Sequence, residues 1–339
     1  MRDGSVEEPA VRVGVLGVGR IGRMHAELLA HQVQGAALGM IYDADPEAAE
    51  AVGRSLGVPV AGSVDEVLAS DAVDAVAICT STHTHVELLL AAATSGKAIF
   101  CEKPISLDLA EVDQALAAIA AGVARLQIGF NRRFDPAHRA VRDAVADGTL
   151  GALHLVRISS RDPAPPPMAY IEVSGGIFLD MTCHDIDMAR FVTGSEIVEV
   201  YATGAVRIDP AIGEAGDLDT AVLTMRHEDG CLTVIDNSRQ AVYGYDQRVE
   251  AFGSQGMAVS HNPPAYTATV LTAHGSSGSK LPHFFVERYL PSYILQWEAF
   301  CNYARSGGPS PVAATDGRAP LAVGLAAWRS AREGRPVEV

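Results

Sequence analysis

The chain has 339 residues, 48% hydrophobic and 20% charged, which is enough apolar material for two cores and argues for a globular protein rather than a disordered one. A formal net charge of -15 opposes attraction to phosphate backbones or anionic lipid, so neither nucleic acid nor a membrane surface is expected as a partner. The N-terminal MRDGSVEEPA is acidic where a secretory signal is apolar, no later apolar run approaches the ~20 residues of a membrane span, and five scattered cysteines suit a reducing compartment, so the reading is cytoplasmic.

The first predicted strand is Val11 to Leu16, ending in Gly17-Val18-Gly19-Arg20-Ile21-Gly22 and a helical stretch. Strand, glycine turn and helix in that order suit a dinucleotide. The first glycine permits the tight turn, the second lets the backbone approach a pyrophosphate, and the third lets helix and strand pack closely. A second strand, Ala36 to Tyr42, ends at Asp43, where a carboxylate can accept hydrogen bonds from an adenosine ribose. The alternation continues with a helix Pro46 to Leu56, a strand Val73 to Cys79, a helix Thr84 to Ser95, a strand Ala98 to Cys101, a helix Leu107 to Ala121 and a strand Arg125 to Gly129. This order predicts a parallel, doubly wound sheet binding NAD.

After about residue 150 the pattern changes. Strands are predicted at Ala152 to Ser160, Val198 to Val206, Ala221 to His227, Cys231 to Ser238, Gln247 to Phe252 and Met257 to His261, several joined by hairpin-type turns. Helices follow at Phe284 to Arg305 and Asp316 to Arg332. The expected fold class is thus α/β: an N-terminal Rossmann domain over 11–130, and over 131–339 an α+β domain with a large, mainly antiparallel sheet, to which the resemblance described below assigns substrate binding and oligomerisation. The last helix is read as able to pack back on the first domain. Cys183 next to His184 has no further ligands spaced to join it, so no metal is expected.

Three further stretches carry a resemblance: Thr80-Ser81-Thr82-His83-Thr84-His85, Glu102-Lys103-Pro104, and Gly175-Gly176-Ile177-Phe178-Leu179-Asp180-Met181-Thr182-Cys183-His184-Asp185-Ile186-Asp187. With the glycine turn they resemble the Gfo/Idh/MocA oxidoreductase family over essentially the whole chain. Within it, the segments from Ser159 to Pro167 and from Phe284 to Tyr289 look like those of inositol 2-dehydrogenases. The resemblance implies NAD-dependent oxidation of a secondary alcohol of a small polyol, myo-inositol to its 2-keto product, in a homotetramer. Scyllo-inositol, an aminocyclitol or a pyranose sugar are the alternatives, and a non-catalytic NAD-binding regulator is the reading from a different class.

The residues it implies for catalysis are Lys103, Asp180 and His184. Deprotonating an alcohol at neutral pH requires a base within hydrogen-bond reach of the oxygen, and Asp180 lies one helical turn before His184, placed to orient the imidazole. For the cofactor it implies Gly17, Gly19, Arg20, Ile21, Gly22, Asp43, Thr80, Ser81, His85, Glu102 and Lys103. For the polyol it implies Asn131, Arg132, Asp162, Asp187 and Tyr243. Two departures are visible: Asn131 stands where inositol dehydrogenases usually carry methionine, and His283 stands where an acidic residue is expected.

Overall fold

The computed structural model describes residues 9–339, so most of the acidic N-terminal stretch that was read against a secretory signal lies outside the described residues. Two compact units are present: the chain up to Phe130 together with Tyr293–Arg318, and Asn131–Ser292 together with Ala319–Val339.

The first unit holds strands β1 (Val11–Leu16), β2 (Ala36–Tyr42), β3 (Ala75–Ile78), β4 (Ala98–Cys101) and β5 (Leu126–Ile128), all parallel, in the order β2-β1-β3-β4-β5. Every residue of β3, β4 and β5 is buried, which explains why they read as unbroken apolar runs rather than alternating ones. Side-chain caps set the helix starts. Asp45 accepts the N–H groups of Glu47 and Ala48 ahead of Pro46–Leu56, and Asp108 accepts those of Ala110 and Glu111 ahead of Leu109–Ala121. A six-residue helix, Val64–Ala69, was not anticipated; its signal is a capping box in which Ser63 accepts Glu66 N–H.

The boundary differs from the sequence expectation. The segment 293–318 belongs to the first unit because Trp297 and Phe300 pack on Phe100, with ring centroids 4.5 and 5.9 Å away. The final helical turns, from Ala319 on, stay with the second unit, where Trp328 meets Phe178 edge-on at 4.9 Å and Ser330 Oγ accepts Ala202 N–H.

The second unit is built on β6 (Leu153–Arg161), β7 (Ile197–Ala205), β8 (Thr220–His227), β9 (Leu232–Ser238), β10 (Asp246–Gly253) and β11 (Gly256–Ser260), with β14 (Val337–Glu338) at one edge. A separate small hairpin pairs β12 (Val270–Thr272) with β13 (Gly275–Ser277). The seven-stranded order is β11-β10-β6-β9-β8-β7-β14, antiparallel throughout except for the β6/β9 pair. Burial alternates strictly along β8, so the sheet has one covered and one open face. The covered face joins Val156, Leu223, Ile235 and Val249 to Ile186 and Ala189 of the helix Thr182–Thr193. The helix Pro136–Ala146, missed in the sequence, is announced by Asp135, whose carboxylate caps Ala137 and His138 ahead of Pro136.

Candidate functional site

In the first unit the candidate cofactor residues lie on the loops at the C-terminal ends of β1, β2, β3 and β4, around the β1/β3 position where the strand order reverses. Gly17 has φ +87, and a Cβ there would come within 2.8 Å of the Thr80 backbone, so the glycine lets the loops after β1 and β3 close on each other. A Cβ on Gly22 would stand 1.9 Å from Gly17 O, which only glycine avoids. A Cβ on Gly19, by contrast, would meet nothing within 4 Å. The helix that begins at Arg20 has no side-chain cap, leaving its first N–H groups beside that open space. These features fit a bound pyrophosphate.

Asp43 is fastened where a ribose contact requires it. Oδ2 accepts Val18 N–H at 2.7 Å and Oδ1 accepts Asp45 N–H at 2.9 Å, and each oxygen keeps a lone pair for a hydroxyl. Arg20 is exposed at the first turn and Ile21 half-buried behind it. Thr80 and Thr84 share a hydrogen bond of 2.7 Å, and Ser81 is exposed at the start of the 3-10 turn Thr82–Thr84. His85 meets backbone carbonyls on both sides of its ring. It is 1% exposed, with Nδ1 2.8 Å from Pro104 O and Nε2 3.1 Å from Thr80 O. Burial holds its pKa below the ordinary histidine range, so the ring has one proton to donate and the shorter contact assigns it to Nδ1. His85 ties the loop after β3 to the turn after β4. Glu102 and Lys103 open that turn, and Lys103 N–H donates to Glu102 Oε2 at 3.2 Å.

In the second unit Asp180 ends the short helix Ile177–Asp180, and His184 is the third residue of Thr182–Thr193. Met181 joins the two with α-helical angles, so the four-residue spacing survives although the helix is not continuous. The Asp180 carboxylate accepts Tyr170 Oη–H at 2.8 Å and Arg239 Nη1–H at 3.3 Å. Arg239 is 1% exposed and also reaches Asp217 at 3.2 Å, while Asp217 Oδ1 accepts the N–H groups of Ile177 and Leu218. Gly176 is required here. Its φ is +80, and a Cβ would stand 2.5 Å from the Trp328 ring and 2.7 Å from Asp217 Oδ1. Sequence reading missed Arg239, Asp217 and Tyr170, since a lone arginine after a strand and an aspartate in a loop carry no local signal.

Asp162, at the end of β6, lies near the cations of Arg132 and Arg239 and the carboxylates of Asp180 and Asp185. Burial is the largest influence and pushes its carboxyl up to about 6, the two anions adding to the shift and the two cations opposing it. Asp162 is therefore a charged, acceptor-only group only above that pH; as pH falls through it the charge is lost and one oxygen becomes a donor. If it holds substrate hydroxyls, KM should rise on acidification below about pH 6 in wild type, and Asp162→Asn should flatten KM against pH while the kcat profile keeps its shape. A KM limb that survives in the variant would show that another group titrates.

Two of the residues expected at the polyol are held by protein partners. Arg132 is 6% exposed and its guanidinium is committed within the unit: Nη1 donates to Asp185 at 2.7 Å and Ser160 at 3.1 Å, and Nη2 to Tyr245 at 3.3 Å. Asp187 is 1% exposed and Arg133 binds both its oxygens at 2.6 to 3.2 Å. Buried carboxylates need counterions, and the two consecutive arginines supply them, locking the turn Asn131–Phe134 to the helix below His184. Tyr243 is exposed, with its hydroxyl donating to Asp246 and accepting from Arg161. Asn131 is 3% exposed, and its buried Nδ2 has no hydrogen-bond partner. The His283 side chain is exposed, and its backbone N–H donates to Glu287.

Among the described residues no group of three or more His, Cys, Asp or Glu is arranged to hold a metal, and no helix is long and apolar enough to cross a membrane. A parallel sheet with a glycine-rich cradle, followed by a unit whose helices carry an anchored carboxylate near a histidine, defines a nicotinamide-dependent oxidoreductase. Residues 11–130 match the oxidoreductase family with an NAD-binding Rossmann fold, and 138–259 match the GFO/IDH/MocA C-terminal domain. The chain belongs to the Gfo/Idh/MocA oxidoreductase family, and its cofactor is NAD. It is 47% identical to a myo-inositol 2-dehydrogenase of Thermotoga maritima, over 97% of this chain and 98% of the relative. Among solved structures, a myo-inositol dehydrogenase from Corynebacterium glutamicum superposes with TM-score 0.92 at 41% identity, covering 97% of this chain and 99% of that one. A scyllo-inositol dehydrogenase from Lactobacillus casei with bound NAD(H) and scyllo-inositol does so with TM-score 0.90 at 30% identity, covering 97% and 99%.

Proposed function

We propose that this protein oxidises a secondary hydroxyl of a cyclitol, with myo-inositol and its 2-keto product the leading pair and scyllo-inositol, an aminocyclitol or a pyranose sugar as alternatives. The observation that carries the reading is the anchored Asp180. Tyr170 and Arg239 fix both of its carboxylate oxygens, so a negative charge is held in one place four residues from a histidine. That is what stabilising a transient imidazolium requires. NAD, when bound, supplies the hydride acceptor. His184 takes the proton from the substrate hydroxyl, Asp180 stabilises the resulting cation, and the Lys103 ammonium donates a hydrogen bond to the oxygen as it loses that proton. Asp162 and Asn131 hold neighbouring hydroxyls. Gly17, Gly19 and Gly22 with Arg20 and Ile21 cradle the pyrophosphate, Asp43 takes the ribose, and Thr80, Ser81 and Glu102 line the remainder.

We place the enzyme in the cytoplasm as a homotetramer. All five cysteines are free and buried, as suits a reducing compartment. On the open sheet face of the second unit, strand register puts Met257, Phe252, Leu155 and Leu232 in one row across four strands. Met257, Phe252 and Leu232 are exposed, and such a row suits burial against another subunit.

The deciding assay is NAD reduction with a panel of inositol isomers, aminocyclitols and aldoses. Turnover on an inositol above all aldoses is expected, and turnover on none of them would return the chain to the regulator reading. Asn131 sharpens the panel. Its orphaned amide donor costs on the order of 1 kcal/mol or more unless a ligand accepts from it. Asn131→Met is therefore expected to raise the thermal midpoint while raising KM for the preferred cyclitol roughly tenfold and changing the order of isomers. An unchanged order would show that the departure carries no specificity.

A further inference from the structure

In the first unit, two residues not used by the reaction described so far, His25 and Trp297, connect to Glu102 and Lys103. His25, on the helix Arg20–His31, is fully buried, with Phe100 and Tyr293 edge-on to its ring at 5.4 and 5.5 Å. The indole Nε1 of Trp297 lies 2.9 Å from His25 Nδ1, and His25 Nε2 lies 2.9 Å from Glu102 Oε1. An indole N–H can only donate, so Nδ1 must be the acceptor and the imidazole carries its proton on Nε2. That proton is donated to Glu102. The other oxygen, Oε2, accepts the backbone N–H of Lys103 at 3.2 Å. Gly129 completes the arrangement from a third segment: a Cβ there would fall 2.9 Å from Glu102 Cδ and Oε1.

We infer that His25 and Trp297 are positioning residues for Lys103. Trp297 fixes the tautomer of His25, His25 fixes the rotation of the Glu102 carboxylate, and Glu102 fixes the backbone from which Lys103 projects. An apolar cage around a buried ring would need none of this polarity. The directed chain of donors, each with one acceptor, is what aims a particular atom. The inference rests on Lys103 serving the proposed reaction, so its test has one arm that does not depend on activity.

In the ligand-free protein, long-range nitrogen–proton NMR of the imidazoles should show His25 protonated at Nε2 and bare at Nδ1. Trp297→Phe keeps an aromatic ring and removes only the donor. It should mix the two tautomers and speed hydrogen exchange of the Lys103 amide. On an inositol substrate the same variant should lose kcat by roughly ten- to a hundredfold, the scale of a small misplacement at a reacting centre, with KM and the NAD dissociation constant altered less than twofold. His25→Gln places an amide N–H where Nε2 stood and should retain most of the rate, whereas His25→Leu should not. Combining Trp297→Phe with Glu102→Gln should cost much less than the product of the separate losses. A wild-type His25 protonated on Nδ1, unchanged Lys103 exchange in Trp297→Phe, or equal kcat in the Gln and Leu variants would each overturn the relay. Absence of turnover in wild type would instead overturn the proposed reaction and leave the NMR arm to decide the relay. Should His25→Leu fail to fold, Trp297→Phe still tests the proposal.

Discussion

His184→Ala, and separately Lys103→Met, is expected to lower turnover on the best cyclitol by about 10² to 10⁴, the usual worth of a positioned acid or base. The folded protein should still bind NAD, because neither change touches the glycine cradle after β1 or the fastened Asp43. If the two residues and Asp180 serve one transition state, the double variant should lose far less than the product of the single losses. Steady-state kcat at saturating NAD, with binding followed by fluorescence, separates the two effects. Alcohol oxidation in wild type should also rise with pH as the base loses its proton, and the inflection should move or vanish in His184→Ala. Near-normal kcat in both single variants would remove the proton-handling assignment. The buried pairs below, Arg132 with Asp185 and Arg133 with Asp187, predict a different phenotype. Breaking either should first cost stability, since a buried charge is left without its partner.

Cofactor preference is the second large effect. Asp43 is held by Val18 N–H and Asp45 N–H, so its carboxylate cannot swing away from a 2′-phosphate without giving up both bonds. Two like charges about 4 Å apart repel by about 1 to 4 kcal/mol between bulk water and a protein surface. That predicts NAD over NADP by roughly fivefold to a thousandfold in kcat/KM. Asp43→Ala should narrow the ratio. It should also weaken both cofactors, because the variant loses the two backbone anchors, so the ratio is the quantity to read. Equal efficiency of wild type with both cofactors would show that this carboxylate does not meet the ribose.

How much of this was legible beforehand follows from the range of the interactions involved. The five parallel strands, the glycine turn with its helix, and Asp43 at the end of β2 were determined by the sequence alone, because local periodicity and short-range turn chemistry specify them. The strands β6 to β11 were legible in the same way, and so were the short β8/β9 and β10/β11 turns, whereas the pairing of β6 with β9 and β10 and the edge strand β14 join distant segments. Helices opened by Ser63 and Asp135 were equally local and were overlooked, although their caps stood in plain view. The tertiary structure alone decided which polar groups face outward. Asp187, Arg132 and His85 have the residue types of ligand contacts, and each meets a protein partner: Arg133 from the turn Asn131–Phe134, Asp185 on the helix Thr182–Thr193, and the carbonyls of Thr80 and Pro104. Arg239, which anchors Asp180 from 59 positions away, and Trp297, which reaches His25 across 272, left no trace in any local window. Periodicity reports which face of an element is buried; it cannot report what that face is buried against, because pairing between distant segments is set by the packing of whole units.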